Sequence, residues 1–220
     1  MDLSTVTAVI INYRTPDLTL RALSTFKSVY PTVKTLLIDN GSGVECGGML
    51  VTVRSSYPDV ELIVNEKNLH HGPAMHQAMG LISTPMALFL ESDCTVLLSG
   101  FIEEMAARLS ENEVHYAAGQ LQYVNWRGFQ VDASRPGAML YCNPWCMLIK
   151  RELYRQLPRF ELHGAPLLRN MRGAHKKGFK LIGIELDRFV SHDCRGTAGR
   201  FGYGLGFKGI MNYVLNKLGI

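Results

Sequence analysis

Over the first 110 residues, apolar runs alternate with segments of mixed polarity. Val6–Asn12 (VTAVIIN) is β-branched and continuously apolar up to its last residue, the pattern of a strand covered on both faces. Thr15-Pro16-Asp17 then supplies a cap, a first-turn proline and an acid for the positive end of a helix. Leu18, Ala22, Phe26 and Val29 recur at helical spacing, which predicts a helix to about Tyr30, stopped by Pro31. The same reading predicts strands over 35–39, 60–65 and 86–90, and helices over 45–57, 73–83 and 99–110 with Ser99 as cap. Asn40-Gly41-Ser42-Gly43 reads as a turn.

Strand and helix alternating at this spacing predict an α/β fold: a Rossmann-like, mostly parallel sheet with helices on both faces. In such sheets the ligand crevice lies at the carboxyl ends of the strands. Asn12, Asp39, Asn65 and the Glu91/Asp93 pair all stand at such ends. Each alone is an ordinary strand exit, but four in succession predict a shared crevice.

The pattern changes after residue 115. Segments 116–124 and 129–132 flank Asn125-Trp126-Arg127-Gly128, a hairpin signal. A short strand at 146–149, a basic helix near 150–156, a second basic helix over 167–177 ended by Gly178, and a strand over 180–185 follow. A Gly-rich tail closes on a segment, 210–218, with apolar residues on one side. No repeat or linker divides the chain, so 1–220 reads as one domain, with a regularly alternating half (1–112) and a mixed half (113–220).

Composition narrows the class. Hydrophobic residues make up 47% and charged residues 19%, as in a globular protein, and no apolar run nears the ~20 residues of a membrane span. The start MDLSTVTAVIINYR lacks a basic n-region, and five cysteines without a CxxC pair suit reduced, buried thiols; a cytoplasmic protein is expected. The net charge of +4 is uneven. Residues 1–149 hold 9 Lys and Arg against 14 Asp and Glu; residues 150–220 hold 14 against 5. A basic final third suits phosphate-bearing ligands or an anionic membrane surface, and equally a solvated face. No basic and aromatic residues interleave as in a nucleic-acid-binding module, so no nucleic-acid partner is expected. The tail is a candidate for peripheral membrane contact, although its few lysines make any attraction modest.

The candidate chemistry begins at LFLESDC, residues 88–94, where an apolar run ends in Glu91-Ser92-Asp93. Two carboxylates at i and i+2 beyond a strand can share a hard divalent cation and, through it, a diphosphate. The bare pattern is common and fits a plain strand exit as well. FVSHDCRGT adds two further ligating side chain types, His192 and, as the alternative, Asp193, and its Arg195 could clamp phosphate oxygens.

The segments VIINYRTPD, LLIDNGSG, NEKNLHHGPAMHQAM, LFLESDC, WCMLIKRELY and GFKLIGIELDRFVSH together resemble family 2 glycosyltransferases of the GT-A fold, close to rhamnosyltransferase-like members. The resemblance implies an inverting transfer of a sugar from a UDP-, GDP- or dTDP-sugar to a glycan or lipid-linked acceptor, assisted by Mn2+ or Mg2+. It implies Asp93 and His192 as metal ligands and Glu91 and Ser92 as donor or metal contacts. It also implies Asp39 as acceptor for the nucleotide base, with Asn12, Tyr13, Arg14, Asn68 and Arg195 around the donor. Asp39 alternatively reads as a turn residue. His70 stands where relatives carry Gly, and His76 where a polar Asn is expected. With His71 they could suggest a second metal site, but no carboxylate accompanies them locally, and cleft lining or helix capping fits better.

One element is missing. Relatives carry an acidic general base shortly before the helix that ends at Gly178, yet residues 164–172 hold no Asp or Glu. Three readings stay open: His163 or Glu161 supplies the base; the acceptor is already ionised, docked by Arg169, Arg172, Lys176 and Lys177; or the domain binds nucleotide-sugar or a partner without turnover. A nucleotidyltransferase is disfavoured, because NYRTPD replaces its Gly-rich loop.

Overall fold

A computed structural model describes residues 2–161 and 165–193. In chain order the elements are β1 (Val6–Asn12), α1 (Pro16–Val29), β2 (Lys34–Asp39), α2 (Gly47–Ser56), β3 (Val60–Val64), α3 (His71–Leu81), β4 (Met86–Glu91) and β5 (Cys94–Val96). They continue as α4 (Phe101–Ser110), β6 (His115–Val124), β7 (Met139–Lys150), α5 (Arg151–Tyr154), α6 (Leu168–Lys176), β8 (Lys180–Gly183) and β9 (Val190–His192).

Seven strands form one sheet in the order β3-β2-β1-β4-β7-β6-β8. The first four run parallel, β7 is antiparallel to both β4 and β6, and β8 is parallel to β6. This is the α/β sheet that the alternating pattern predicts. β1 shows why its sequence is mostly apolar. Val6, Ala8 and Ile10 join the core on one face with Phe26, Met49, Phe101 and Met105. Val9 joins the opposite core with Met75, Tyr116, Phe160 and Met171. With side chains alternating along a strand, covering both faces favours apolar residues at successive positions; the buried exception within the strand, Thr7, has its hydroxyl 2.8 Å from that of Thr84.

Several boundaries differ from expectation. Thr15 precedes α1, but its hydroxyl donates to Asn12 Oδ1 at 3.3 Å instead of capping the helix. Helix α4 starts after Gly100, whose φ of +107° makes a left-handed turn that Ser99 could not replace; Tyr30 Oη accepts the Gly100 N–H at 2.7 Å. The partner of β6 is the twelve-residue β7, not segment 129–132, which touches β6 only at the bridge Val124–Gln130. Asn143 and Pro144 mask β7 in the sequence. Pro144 is tolerated because the β6–β7 register shifts between Gly119 and Leu121. The strand after α6 ends at Gly183 rather than 185. A small antiparallel pair, β5–β9, aligns Cys94 with His192 and has no counterpart in the expected pattern. Among the described residues no helix is long and apolar enough to cross a membrane, and the tail segment 210–218 lies outside them.

Candidate active site

The strand exits do converge. β1 and β2 pair in register up to Asn12 and Asp39, so both side chains arrive at one edge. Asn12 is fully buried, and its amide donates to Asp39 Oδ1 at 2.6 Å and to Ser42 Oγ at 3.1 Å. Its Oδ1 accepts from the Thr15 N–H at 3.1 Å and from Thr19 Oγ1 at 2.8 Å. The Thr15 and Ser92 hydroxyls lie 3.4 Å apart, which extends the network to the loop after β4. Asp39, 1% exposed, also accepts from Ser42 Oγ and from the Ser42 N–H. Oδ2 takes only the last of these bonds, and a carboxylate oxygen can accept a second.

Glu91 ends β4, one residue past Leu90, which pairs with Cys146 of β7. The β5–β9 pairing sets His192 opposite Cys94, and the Asp193 N–H donates to Asp93 O at 3.1 Å. Two distant segments are thereby laced together at the loop after β4. His192 Nε2 lies 3.5 Å from Glu91 Oε2 and 3.4 Å from Asp93 Oδ1. One ligand atom from each of Glu91, Asp93 and His192 falls within 4.8 Å of the others. The Asp93 side chain is 5% exposed, while those of His192 and Glu91 are about a quarter exposed, so the cluster opens to solvent on one side.

Burial of His192 would lower its pKa, but hydrogen bonds to Asp93 and Glu91, and their charges, outweigh it and raise the value to about 10. In the metal-free protein the two carboxylates therefore hold a positive charge between them. Two hard oxygens and a borderline nitrogen at this separation fit Mn2+ or Mg2+.

His71, the first residue of α3, places Nε2 3.9 Å from Glu91 Oε1. The carboxylate beside His71 thus comes from β4 and not from the HHG segment itself. His76 turns away, with Nδ1 2.7 Å from Tyr154 Oη. Gly72 sits against the backbone of Glu161, where a Cβ would meet Glu161 O at 2.4 Å. Glu161 therefore packs against the first turn of α3. Glu161 is neutralised there by Arg169 at 2.7 Å and Arg159 at 3.7 Å.

Tyr13 is half-buried, and the Arg14 guanidinium lies 5.4 Å from its ring centroid. Asn68 Oδ1 accepts from the His70 N–H at 2.7 Å and Asn40 Nδ2 at 3.1 Å, holding the loop before α3. Asp193, the alternative ligand, pairs with Arg21 of α1 and takes no part in the cluster. His163 and Arg195 lie outside the described residues. Sequence reasoning missed Trp145, whose indole stacks on the His192 ring, and no local signal marks it. An open groove of about 440 Å3 runs past Trp145, Gln120, Asp187 and His192. A larger one, about 930 Å3, lies at the far end of β4 beside Thr84, Met86 and Lys150, away from the cluster. Volume alone does not locate the chemistry.

Solved structures share this architecture. The mannosyltransferase PcManGT from Pyrobaculum calidifontis, in complex with GDP-Man and Mn2+, is 13% identical, with a TM-score of 0.64 over 82% of this chain and 54% of that one. GalNAc-T7 with UDP, GalNAc and Mn2+ is 13% identical, with a TM-score of 0.68 over 87% and 44%. S. aureus TarS, residues 1–349, is 12% identical, with a TM-score of 0.60 over 86% and 60%. The chain thus spans about half the length of these structures, and they establish its fold as GT-A. No curated protein matches the sequence. The family model for glycosyl transferase family 2 matches residues 7–172, three quarters of the sequence, and the chain belongs to that family.

Proposed function

We propose that this chain transfers a sugar, with inversion, from a nucleotide-diphosphate donor to an acceptor hydroxyl or phosphate, with a divalent cation. The observation that carries this reading is the meeting of Glu91, Asp93 and His192 at the carboxyl edge of a parallel sheet. Asp93 and His192 would hold Mn2+ or Mg2+, with Glu91 as a third ligand or a donor contact. When bound, the cation supplies charge neutralisation for a departing nucleoside diphosphate. The rhamnosyltransferase-like subtype rests on motif resemblance alone and belongs to this proposal.

The remaining roles fall to the chain itself. Asp39 has the acceptor capacity to take a base imide N–H, and the Asn12 and Ser42 bonds fix its direction. Tyr13, Arg14 and Asn68 frame the donor from the loops after β1 and β3, and Ser92 ties the metal loop to Thr15. Arg195 would clamp phosphate oxygens. His163 is the candidate base. Glu161, the alternative, is already engaged by Arg159 and Arg169. A phosphate-bearing acceptor would need no base, and Arg169, Arg172, Lys176 and Lys177 give it a cationic approach. A cytoplasmic setting with the tail touching a membrane suits a lipid-linked acceptor.

A second reading is a silent GT-A domain that binds a nucleotide-sugar or a partner. What favours it is α6, whose first turn carries no acid. A thermal-shift panel of UDP-, GDP- and dTDP-sugars, each with and without Mn2+, tests the main reading. One donor should stabilise the chain in proportion to the logarithm of its concentration over Kd, and only with metal. Release of free nucleoside diphosphate by that complex then separates enzyme from silent binder. Stabilisation indifferent to Mn2+ would refute the metal-assisted reading.

A further inference from the structure

The imidazole of His192 could rotate without changing the β5–β9 pairing. The pairing fixes its Cα opposite Cys94, but the terminal torsion of a histidine has a broad preference. Something else must aim Nε2 at the two carboxylates. The Trp145 indole lies flat against the imidazole, with ring centroids 5.2 Å apart and planes 4° from parallel.

Trp145 is itself held at both ends. It is 7% exposed, and its Nε1 donates to Gln120 Oε1 at 2.9 Å. Gln120 stands where the β6–β7 register shifts, and the same Oε1 accepts from Asn143 Nδ2 at 3.4 Å. The Trp145 carbonyl accepts from Cys94 Sγ at 3.2 Å, which ties its backbone to β5 and so to the metal loop. Any buried indole N–H seeks an acceptor, but a simple core filler has no need of a coplanar imidazole. An electron-rich face also suits an imidazole whose electrons are drawn toward a cation.

We propose that Trp145, oriented by Gln120, is a positioning residue that sets the plane of His192 and thereby the affinity of the cation site. This rests on the reading of Glu91, Asp93 and His192 as that site. Outer partners of metal-bound histidines commonly work through the far ring nitrogen; here the constraint is applied to the ring face.

The test uses the full chain with Trp126→Phe as parent. Trp126 is 66% exposed, and its replacement leaves Trp145 as the one tryptophan. The probe is Mn2+ alone, titrated while free ion is followed by electron paramagnetic resonance and Trp145 by fluorescence. Pulsed resonance reports nitrogen coupling from a bound imidazole. The parent should bind Mn2+, quench Trp145 and show that coupling. Trp145→Phe, which keeps an aromatic face, should stay within about threefold of the parent, whereas Trp145→Leu should lose about tenfold or more with weaker coupling. Gln120→Met should fall between them, and it carries the test if the leucine variant does not fold. A folded Trp145→Leu with parental affinity and coupling would overturn the proposal, as would an unaffected Gln120→Met. A parent that binds no Mn2+ would overturn the metal reading itself, and this inference with it.

Discussion

The Asn12 amide donates to Asp39 Oδ1 at 2.6 Å, joining the tips of β1 and β2 inside a fully enclosed network. Asn12 therefore holds the crevice wall in place. Replacing it with Ala removes the partner of Asp39, Ser42, Thr15 and Thr19 together. Each buried polar group left unsatisfied costs about 1–3 kcal/mol, so Asn12→Ala should cost about 2–4 kcal/mol in urea unfolding. Nucleotide affinity should fall too, because Asp39 loses its orientation.

His70 has φ +67° and ψ 167°, a region that essentially only glycine occupies comfortably. His70→Gly and His70→Ala lose the same side chain, but only the glycine variant relieves the backbone. His70→Gly should be more stable than His70→Ala by about 1 kcal/mol, or about 2–4 °C in Tm. Equal melting temperatures would show that the conformation carries no strain. The side chain at position 70 is thus a histidine while the backbone keeps a shape that glycine favours.

Lys27 is buried in the last turn of α1, and its Nζ donates to Pro31 O, Val33 O and Asp59. The hydrogen bond from Lys27 holds the Asp59 carboxyl below the usual carboxylate range, against a smaller opposing effect of burial. The folded pKa is depressed, so the pair's stabilisation is complete above the unfolded value of about 4 and is lost as pH falls through the folded one. The urea midpoint of the wild type should therefore drop as pH falls below about 4, and Asp59→Asn should lessen that drop. An identical acid limb in both proteins would contradict the assignment.

Much of this was legible along the chain, for physical reasons that vary by residue. β1 and β4 announce themselves because strands covered on both faces are mostly apolar at successive steps. Glu91 and Asp93 stand out as charges at the end of such a run. His192 is legible through motif resemblance, but the tryptophan that orients it is not. That contact depends on a register shift in β6 and on a short β5–β9 pairing, neither of which leaves a periodic signature. His71 was visible, but a carboxylate that arrives from another strand leaves no spacing signal beside it. Asn12 and Asp39 are recognisable as polar strand tips, but a polar residue at a strand tip does not reveal how deeply it is enclosed.

Anomalous scattering from a crystal grown with Mn2+ and a nucleoside diphosphate tests the cation site most directly. The expected result is one manganese peak bonded to Asp93 and His192 Nε2, with Glu91 alongside and the diphosphate completing the shell. It should vanish in Asp93→Asn with no loss of fold. A nucleotide seated in the crevice with manganese elsewhere, or with Asp93 and His192 turned apart, would contradict it.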